Sequence, residues 1–421
     1  YKAYWNDGAQ LIPPHDEKVI NYVKSIHTID DIKFDKKSKL IKHLDDTIDN
    51  QYIDMITSLS LNTPQKNKTS NLNIVFSPIH GTGVTLVPQA LKKFGFDNVT
   101  IVSEQSQPNG DFPTVIYPNP EEAEALEISL KTAKNINADL VLATDPDADR
   151  VGVAAKNTNQ ELELLNGNQT AVLLIYYLLI KWKENKQLKG KEYIVKTIVT
   201  TDLISAIATH FKVECFETLT GFKHIAEKIR KLENTHTFIG GGEESYGYLI
   251  GDHVRDKDAV MSCAMVAELT AWATEQNKTL FDVLIDIWME FGLYQEELIS
   301  ITKKGKSGAQ EIKLIMKTIR EKPPTILNNF FITDIIDYSN LTHLKTKSKN
   351  IISIDSPKSN VLQFITENGY KISIRPSGTE PKIKIYFSVH CSLKNRSELK
   401  KKKDKLNYQI SKLSTSLLKH F

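Results

Sequence analysis

Apolar and polar positions along this chain follow two rhythms, one of strands and one of helices. The opening YKAYW alternates as a strand does, NDGAQ follows as a turn, and PPHDEKVINYVKSI has helical spacing behind its prolines. Residues 30–70 are polar and rich in Lys, Asp and Asn, with one weak helical pattern around Ile48 to Leu59, and are expected to be a linker. From there the rhythm is βαβ. LNIVF, NVTIV and DLVLAT are short buried strands, separated by the helical patterns VPQALKKFGF and PEEAEALEISLKTAKN. A second series runs from YIVKTIV through TDLISAIATHF, VECFE and GFKHIAEKIRKL to THTFIG, with two further helical patterns over 257–276 and 279–291. Strands alternating with helices predict parallel, doubly wound sheets. After residue 306 the texture changes. The helix AQEIKLIMKTIRE stops at Pro323 and Pro324, and the short alternating segments FFITDII, VLQFIT, YKISI and KIKIYFSV precede a Lys-rich terminal helix. That order predicts an α+β domain with an antiparallel sheet.

Length changes the picture first: 421 residues exceed what one core holds, so several domains are expected. The formal net charge of +3 gives no mandate for nucleic acid or a membrane surface. KKKK at 400–403 has no Arg or aromatic pattern beside it and reads as a solvated helix face. Cys215, Cys263 and Cys391 are too widely spaced for a disulfide framework or a metal-ligand pair, so a reducing cytoplasm is expected. No apolar run reaches the length of a membrane span. There is no signal peptide, and the chain starts at Tyr1 with no Met, so a fragment is expected.

The densest chemistry is TDPDADR, residues 144–150, directly behind the strand DLVLA. Ligands of open α/β sheets gather beyond the carboxyl ends of strands. Asp145, Asp147 and Asp149 crowd three carboxylates into one loop, which is unfavourable unless a cation neutralises them, and oxygen-only donors select a hard cation, Mg²⁺ first. An EF-hand would need Gly and Glu where Arg150 and Lys156 stand. A phosphatase with an Asp nucleophile would explain two of the aspartates but not the third, and an Asp-rich turn without an ion is the plain alternative.

Two further motifs follow. GGGEESYGYLIGDHVRDKDAV, residues 240–260, lies behind the strand THTFI. Glu243 and Ser245 alternate, a suitable pair for reading sugar hydroxyls. Arg255 and Lys257 place positive charge just ahead of a helix, a setting that favours a phosphate. IRPSGTEPKIKIY, residues 374–386, offers the guanidinium of Arg375, the hydroxyls of Ser377 and Thr379, the open backbone of Gly378 and the charge of Lys382, a set that suits a dianionic phosphate. ETLTGFK places Thr220 and Gly221 at a strand-to-helix junction, fit equally for ligand contact or for a helix cap. SPIHGTG places His80 behind a strand, as a functional or a turn histidine.

In this order, TDPDADR, GGEESYGY and RPSGTEPK resemble the magnesium, sugar-recognition and phosphate-binding loops of the α-D-phosphohexomutase superfamily. IHGTG, TLTGFK and EESYGYLIGD with RDKDAV resemble its bacterial phosphoglucomutase/phosphomannomutase branch more than the phosphoglucosamine mutases. The resemblance covers essentially the whole chain and implies residues 1–30 as the tail of a first domain, α/β domains over 45–190 and 191–305, and an α+β domain over 306–421. It implies a hexose 1-phosphate to hexose 6-phosphate interconversion, glucose favoured over mannose, through a phosphoserine and a hexose 1,6-bisphosphate. Asp145, Asp147 and Asp149 would hold Mg²⁺. Glu243, Ser245, Thr220 and Gly221 would meet the sugar, and Arg375, Ser377, Gly378, Thr379 and Lys382 the distal phosphate. Arg150 and Lys257 would be the catalytic cations, Lys257 matching a lysine implicated in proton handling. The partners implied are small sugar phosphates. The family's Thr-Ala-Ser-His-Asn-Pro nucleophile motif is absent, so this chain alone is expected to be inactive. A decayed sugar-phosphate binding protein and a metal-dependent phosphatase are the rival readings. The complete Asp, Glu/Ser and Arg/Ser/Thr sets argue against decay.

Overall fold

The computed structural model describes residues 3–32, 34, 39, 41–303, 305–377 and 381–421. The chain divides into two compact units, Tyr1–Thr197 with Ala208–Val283, and Ile198–Ile207 with Leu284–Phe421. The first two residues of YKAYW lie outside the described residues, and the rest forms a single bridge, Tyr4 to Gln10, rather than a strand. Helix α1 (His15–Lys24) follows and buries none of its residues.

Two helices stand in the stretch expected to be a linker: α2 (Asp46–Thr57), where the weak helical pattern around Ile48 to Leu59 lies, and α3 (Pro64–Thr69), which was not expected. The signals were local. Asp45 caps Thr47 N–H at 3.1 Å, Thr63 caps Lys66 with proline at the first turn, and α2 buries Ile53 and Ile56. The overall polarity of the stretch masked them.

Two sheets organise the N-terminal unit. In the first, β1 (Ile74–Ser77) lies between β2 (Val99–Ile101) and β3 (Leu140–Thr144), all parallel. Helices α4 (Gly83–Lys93) and α5 (Glu127–Asn135) make the crossovers. The sequence expected α5 to begin at Pro120. Instead Ala123–Leu126 is a 3₁₀ turn, because Ala125 and Leu126 fold under the core against Ile79 and Ala143. The sheet then reverses: β4 (Val151–Lys156) and β5 (Leu162–Leu165) continue it antiparallel, so it is mixed rather than wholly parallel. Val75, Val102, Ala133, Val141 and Ala154 form its core.

Helix α6 (Gly167–Glu184) leads to the second sheet, where β6 (Glu192–Thr197) lies between β7 (Glu214–Thr218) and β8 (Thr237–Gly242), again parallel, with β9 (Tyr248–Ile250) antiparallel on β8. Helices α7 (Leu203–Phe211) and α8 (Phe222–Leu232) supply the crossovers. Thus the orders β2-β1-β3-β4 and β7-β6-β8-β9 repeat one topology. Helix α9 (Ala259–Glu275) is buried along nearly its whole length, packs on β3, β4 and β9, and so joins the two sheets.

In the C-terminal unit, β10 (Leu293–Thr302) follows α10 (Leu280–Phe291), and helix α11 (Gly305–Glu321) precedes β11 (Ile326–Leu327). Then come β12 (Phe330–Asp337), β13 (Thr342–Lys345), β14 (Asn350–Ser353), β15 (Leu362–Thr366), β16 (Lys371–Pro376) and β17 (Lys382–Cys391). The long sheet has the order β10-β17-β16-β15-β12-β13-β14 and is antiparallel throughout. Helix α12 (Leu399–Leu418) turns Leu406, Ile410, Leu413 and Leu417 inward at helical spacing. Within its lysine run, Lys403 covers the Trp288 ring at 4.7 Å and Lys402 pairs with Glu398 at 3.0 Å. The architecture is tandem α/β sheets followed by an α+β unit, as the rhythm of the sequence predicted.

Candidate active site

Strand β3 delivers Asp145 to the carboxyl edge of the first sheet. The chain reverses at once: Thr144 pairs with Val151, leaving 145–150 as a hairpin loop. Ala148 takes a left-handed φ of 55°, and its N–H bonds the Asp145 carbonyl at 3.0 Å. The three aspartates are graded from buried Asp145 through half-buried Asp149 to exposed Asp147, and one carboxylate oxygen from each lies within 4.8 Å of the others. Asp145 Oδ1 accepts the Asp149 and Arg150 N–H groups, each at 2.9 Å, and Oδ2 accepts Arg150 Nε at 2.7 Å. Burial first, and then the charge of Asp149, push the Asp145 carboxyl up to about 6. A convergent, oxygen-only donor set under that electrostatic load fits a hard divalent cation.

The loop is braced from outside. Arg150 Nη1 reaches Asn119 at 3.1 Å and Glu121 at 3.2 Å. Thr82 N–H donates to the Pro146 carbonyl at 2.9 Å, and Gly81 lies so close that a side chain there would run into the Pro146 backbone. IHGTG is therefore a buttress for the aspartate loop. His80 fastens that buttress: Nδ1 bonds the Gln107 carbonyl at 3.1 Å and Nε2 the Thr114 hydroxyl at 2.9 Å. Both ring nitrogens are engaged, as in a turn histidine.

The sugar-loop candidate is the same kind of hairpin on the second sheet. Gly242 pairs with Tyr248, leaving 243–247 as the loop, and Glu243 N–H closes it on the Gly247 carbonyl at 2.9 Å. Glu243 Oε1 accepts the Gly221 N–H at 2.8 Å, so Glu243 and the Thr220–Gly221 junction, distant in sequence, meet here. Glu244 Oε2 accepts the Thr197 hydroxyl at 3.1 Å, and Ser245 is half-buried within the loop. The Tyr246 carbonyl accepts Val151 N–H at 3.0 Å, tying this hairpin to the start of β4 and thus to the aspartate loop.

Lys257 extends across the gap between the hairpins. Its Nζ lies 2.9 Å from Asp149 Oδ2 and 2.7 Å from Asp256 Oδ1. Burial opposes its charge, but Asp149 and Asp256 outweigh burial and hold its pKa above the ordinary lysine value. It is a firmly protonated ammonium. Gly247 is needed here, since a side chain would collide with the Lys257 stem. The start of α9, which the sequence marked as a phosphate seat, is taken otherwise. Asp258 caps Met261 N–H at 2.9 Å, and Ala259 N–H donates to the Ala148 carbonyl of the aspartate loop at 3.1 Å. Arg255 is buried, 2.7 Å from Glu233 and 3.6 Å from Asp7.

In the C-terminal unit, Arg375 stands opposite Lys384 on the β16–β17 ladder, and Ser377 N–H donates to the Lys382 carbonyl at 2.7 Å. Arg375, Lys382 and Lys384 thus all lie on the two strands of this hairpin. Gly378 and Thr379 lie outside the described residues.

Sequence reading missed the groups that steady the site. Asn119 and Glu121 hold Arg150, Tyr52 holds Asp258 at 2.7 Å, and Tyr4 holds Asp256 at 2.7 Å across 252 positions. No linear signal marks such pairs.

Residues 50–159 match the family model "Phosphoglucomutase/phosphomannomutase, alpha/beta/alpha domain II", and residues 166–291 match domain III of the same family. The phosphoglucomutase of Staphylococcus haemolyticus is 34% identical over 393 residues, 92% of this chain and 70% of that protein. Among solved structures, the exocytosis-sensitive phosphoprotein pp63/parafusin, a phosphoglucomutase of Paramecium, in its open form, superposes with a TM-score of 0.59 at 19% identity, over 87% of this chain and 62% of that one. A phosphoglucomutase/phosphomannomutase family protein of Burkholderia thailandensis gives 0.56 at 15% identity, over 86% and 63%. These two likenesses speak for the fold, and the chain spans about 70% of the length of its curated relatives. With two consecutive domain models matched and a third of its residues shared with a whole enzyme, the chain belongs to the phosphoglucomutase/phosphomannomutase family.

Proposed function

We propose that the protein formed by this chain interconverts hexose 1-phosphate and hexose 6-phosphate, with glucose favoured over mannose, through a hexose 1,6-bisphosphate. The observation that carries this reading is the convergence of Asp145, Asp147 and Asp149 within 4.8 Å, with the Lys257 ammonium 2.9 Å from Asp149. Those aspartates would hold Mg²⁺, which when bound supplies positive charge to a phosphoryl group in transfer. Arg150 keeps Asp145 oriented and ionised. Lys257, charged and close to the loop, donates a hydrogen bond or a proton toward the oxygen that gains or loses the phosphoryl group. Glu243 accepts from sugar hydroxyls, and its bond to Gly221 N–H holds it in place, with Ser245, Thr220 and Gly221 completing the sugar contact. Arg375, Ser377, Gly378, Thr379 and Lys382 receive the phosphate that is not reacting. No nucleophile is assigned among the residues of this chain, so the 421 residues alone are expected to bind sugar phosphate without turning it over.

The test has two arms. Calorimetry with glucose 6-phosphate should detect binding, and Arg375→Ala should weaken it about tenfold to a hundredfold, the worth of a charge-assisted hydrogen-bond pair. Equal affinity in the variant would remove Arg375 from the reading. A coupled assay of glucose 1-phosphate conversion, with Mg²⁺ and the bisphosphate supplied, should give no turnover for this chain. Robust conversion would show a nucleophile within it, and phosphate release would favour a phosphatase.

A further inference from the structure

The N-terminal bridge has a use that neither the motifs nor the family match assigns. Tyr4 is exposed along its ring, yet its hydroxyl donates to Asp256 Oδ2 at 2.7 Å. The other Asp256 oxygen accepts the Lys257 ammonium at 2.7 Å and the Lys257 backbone N–H at 2.9 Å. The ammonium in turn reaches Asp149, a member of the aspartate cluster, at 2.9 Å. One unbroken chain of contacts therefore runs from Tyr4 to the metal-site candidate. The segment bearing Tyr4 is itself pinned. Trp5 N–H bonds the Ala9 carbonyl at 2.8 Å, and Asp7 pairs with Arg230 at 2.6 Å and with Arg255 at 3.6 Å. Two ion pairs to Asp7 within the turn, with the Trp5–Ala9 bond, give the hydroxyl a fixed address.

The physical consequence concerns competition. An ammonium and a divalent cation both seek Asp149, and two cations on one carboxylate repel. Lys257 can yield Asp149 to the divalent cation only if another anion keeps its ammonium in place. Asp256 is that anion, and it serves only while its carboxylate is held in the rotamer that faces Lys257. Its backbone contact fixes one oxygen, and Tyr4 fixes the other.

We propose that Tyr4 is a positioning residue: by fastening Asp256 it maintains a second seat for the Lys257 ammonium, so that a divalent cation can occupy the Asp145–Asp147–Asp149 cluster while Lys257 stays beside it. This rests on the reading of those aspartates as a metal site.

The experiment titrates Mn²⁺, an octahedral oxygen-seeking surrogate for Mg²⁺, into the purified chain and follows free Mn²⁺ by electron paramagnetic resonance. Tyr4→Phe keeps the ring and removes one hydrogen bond to a charged group, and should raise the Mn²⁺ Kd about threefold to tenfold. Asp256→Asn should raise it at least as much, and adding Tyr4→Phe to Asp256→Asn should change it no further. In Lys257→Met, where no ammonium competes, Tyr4→Phe should leave the Kd unchanged, a non-additivity that general loosening of the fold would not produce. Absence of Mn²⁺ binding in the parent chain overturns the metal reading and this inference with it. Normal binding with no shift in Tyr4→Phe, or a shift that persists in Lys257→Met, overturns this inference alone.

Discussion

The two hairpins at the site occupy equivalent places. Each joins the last parallel strand of its sheet to an antiparallel neighbour, β3 to β4 through 145–150 and β8 to β9 through 243–247. Each turns on one non-glycine residue at positive φ, Ala148 at 55° and Tyr246 at 67°. Their chemistry nevertheless diverges. The first loop concentrates negative charge and holds it with internal bonds, the Asp145 carboxylate accepting from two backbone N–H groups and Arg150. The second carries its carboxylates outward to other elements, Glu243 to Gly221 and Glu244 to Thr197. One backbone plan thus serves either a loop whose buried carboxylate is bonded within the loop or one whose carboxylates bond neighbouring elements. The distinction lies in which side chains the loop spends on itself.

That comparison can be broken first at the cup. Asp147 is exposed, and the side-chain bonds within its loop end on Asp145 instead, so Asp147→Ala should leave stability within about 0.5 kcal/mol while weakening Mn²⁺ binding about a hundredfold or more. Asp145→Ala should instead lose both. Removing a buried carboxylate that pairs with Arg150 costs on the order of 3 kcal/mol, read as a drop in the urea midpoint. If the two variants were equally stable, the bonds of Asp145 would not be what holds the loop.

A smaller effect separates the loops from each other. Glu243→Gln should weaken glucose 6-phosphate binding about tenfold, through loss of the charged acceptor, and leave Mn²⁺ affinity at the parental value. A fall in metal affinity of the same size would mean that the Tyr246–Val151 contact couples the hairpins and that they work as one.

The smallest effect belongs to the helix both sheets share. Glu268 of α9 is fully buried, and burial raises its pKa above the ordinary glutamate value. It accepts from Leu61 N–H at 2.9 Å, Tyr177 at 2.8 Å, Asn67 at 3.4 Å and the Ser60 hydroxyl. The folded state therefore binds this proton more tightly than the unfolded state. Its contribution to stability is fully present below the ordinary glutamate pKa and is lost as pH rises through the raised value. Comparing the urea midpoints of the parent and of Glu268→Gln across that interval isolates this slope. The parent should lose stability relative to the variant as pH climbs, and parallel profiles would show Glu268 to be ionised in both states alike.

The parts of this protein whose cause is local are legible along the chain. Buried strands such as LVLA and amphipathic helices such as FKHIAEKIRKL are specified by periodicity, and TDPDADR declared its carboxylates because three like charges in one loop demand an explanation. Where local signals were diluted, the reading failed. The caps at Asp45 and Thr63 were hidden in a polar stretch, and the β4 and β5 hairpin that makes the first sheet mixed went unread because VGVAAK has neither clear alternation nor length. Tertiary structure alone decided what each charge does. Arg255 and Lys257 look interchangeable in RDKD, but Arg255 is buried against Glu233 and Asp7 while Lys257 reaches Asp149. Likewise Glu243 meets Gly221 only because β7 and β8 flank β6, and Tyr4 meets Asp256 only through the folding of residues 252 positions apart. Charge acts through space over a few ångströms, and which groups come that close is a property of the folded chain, not of their order along it.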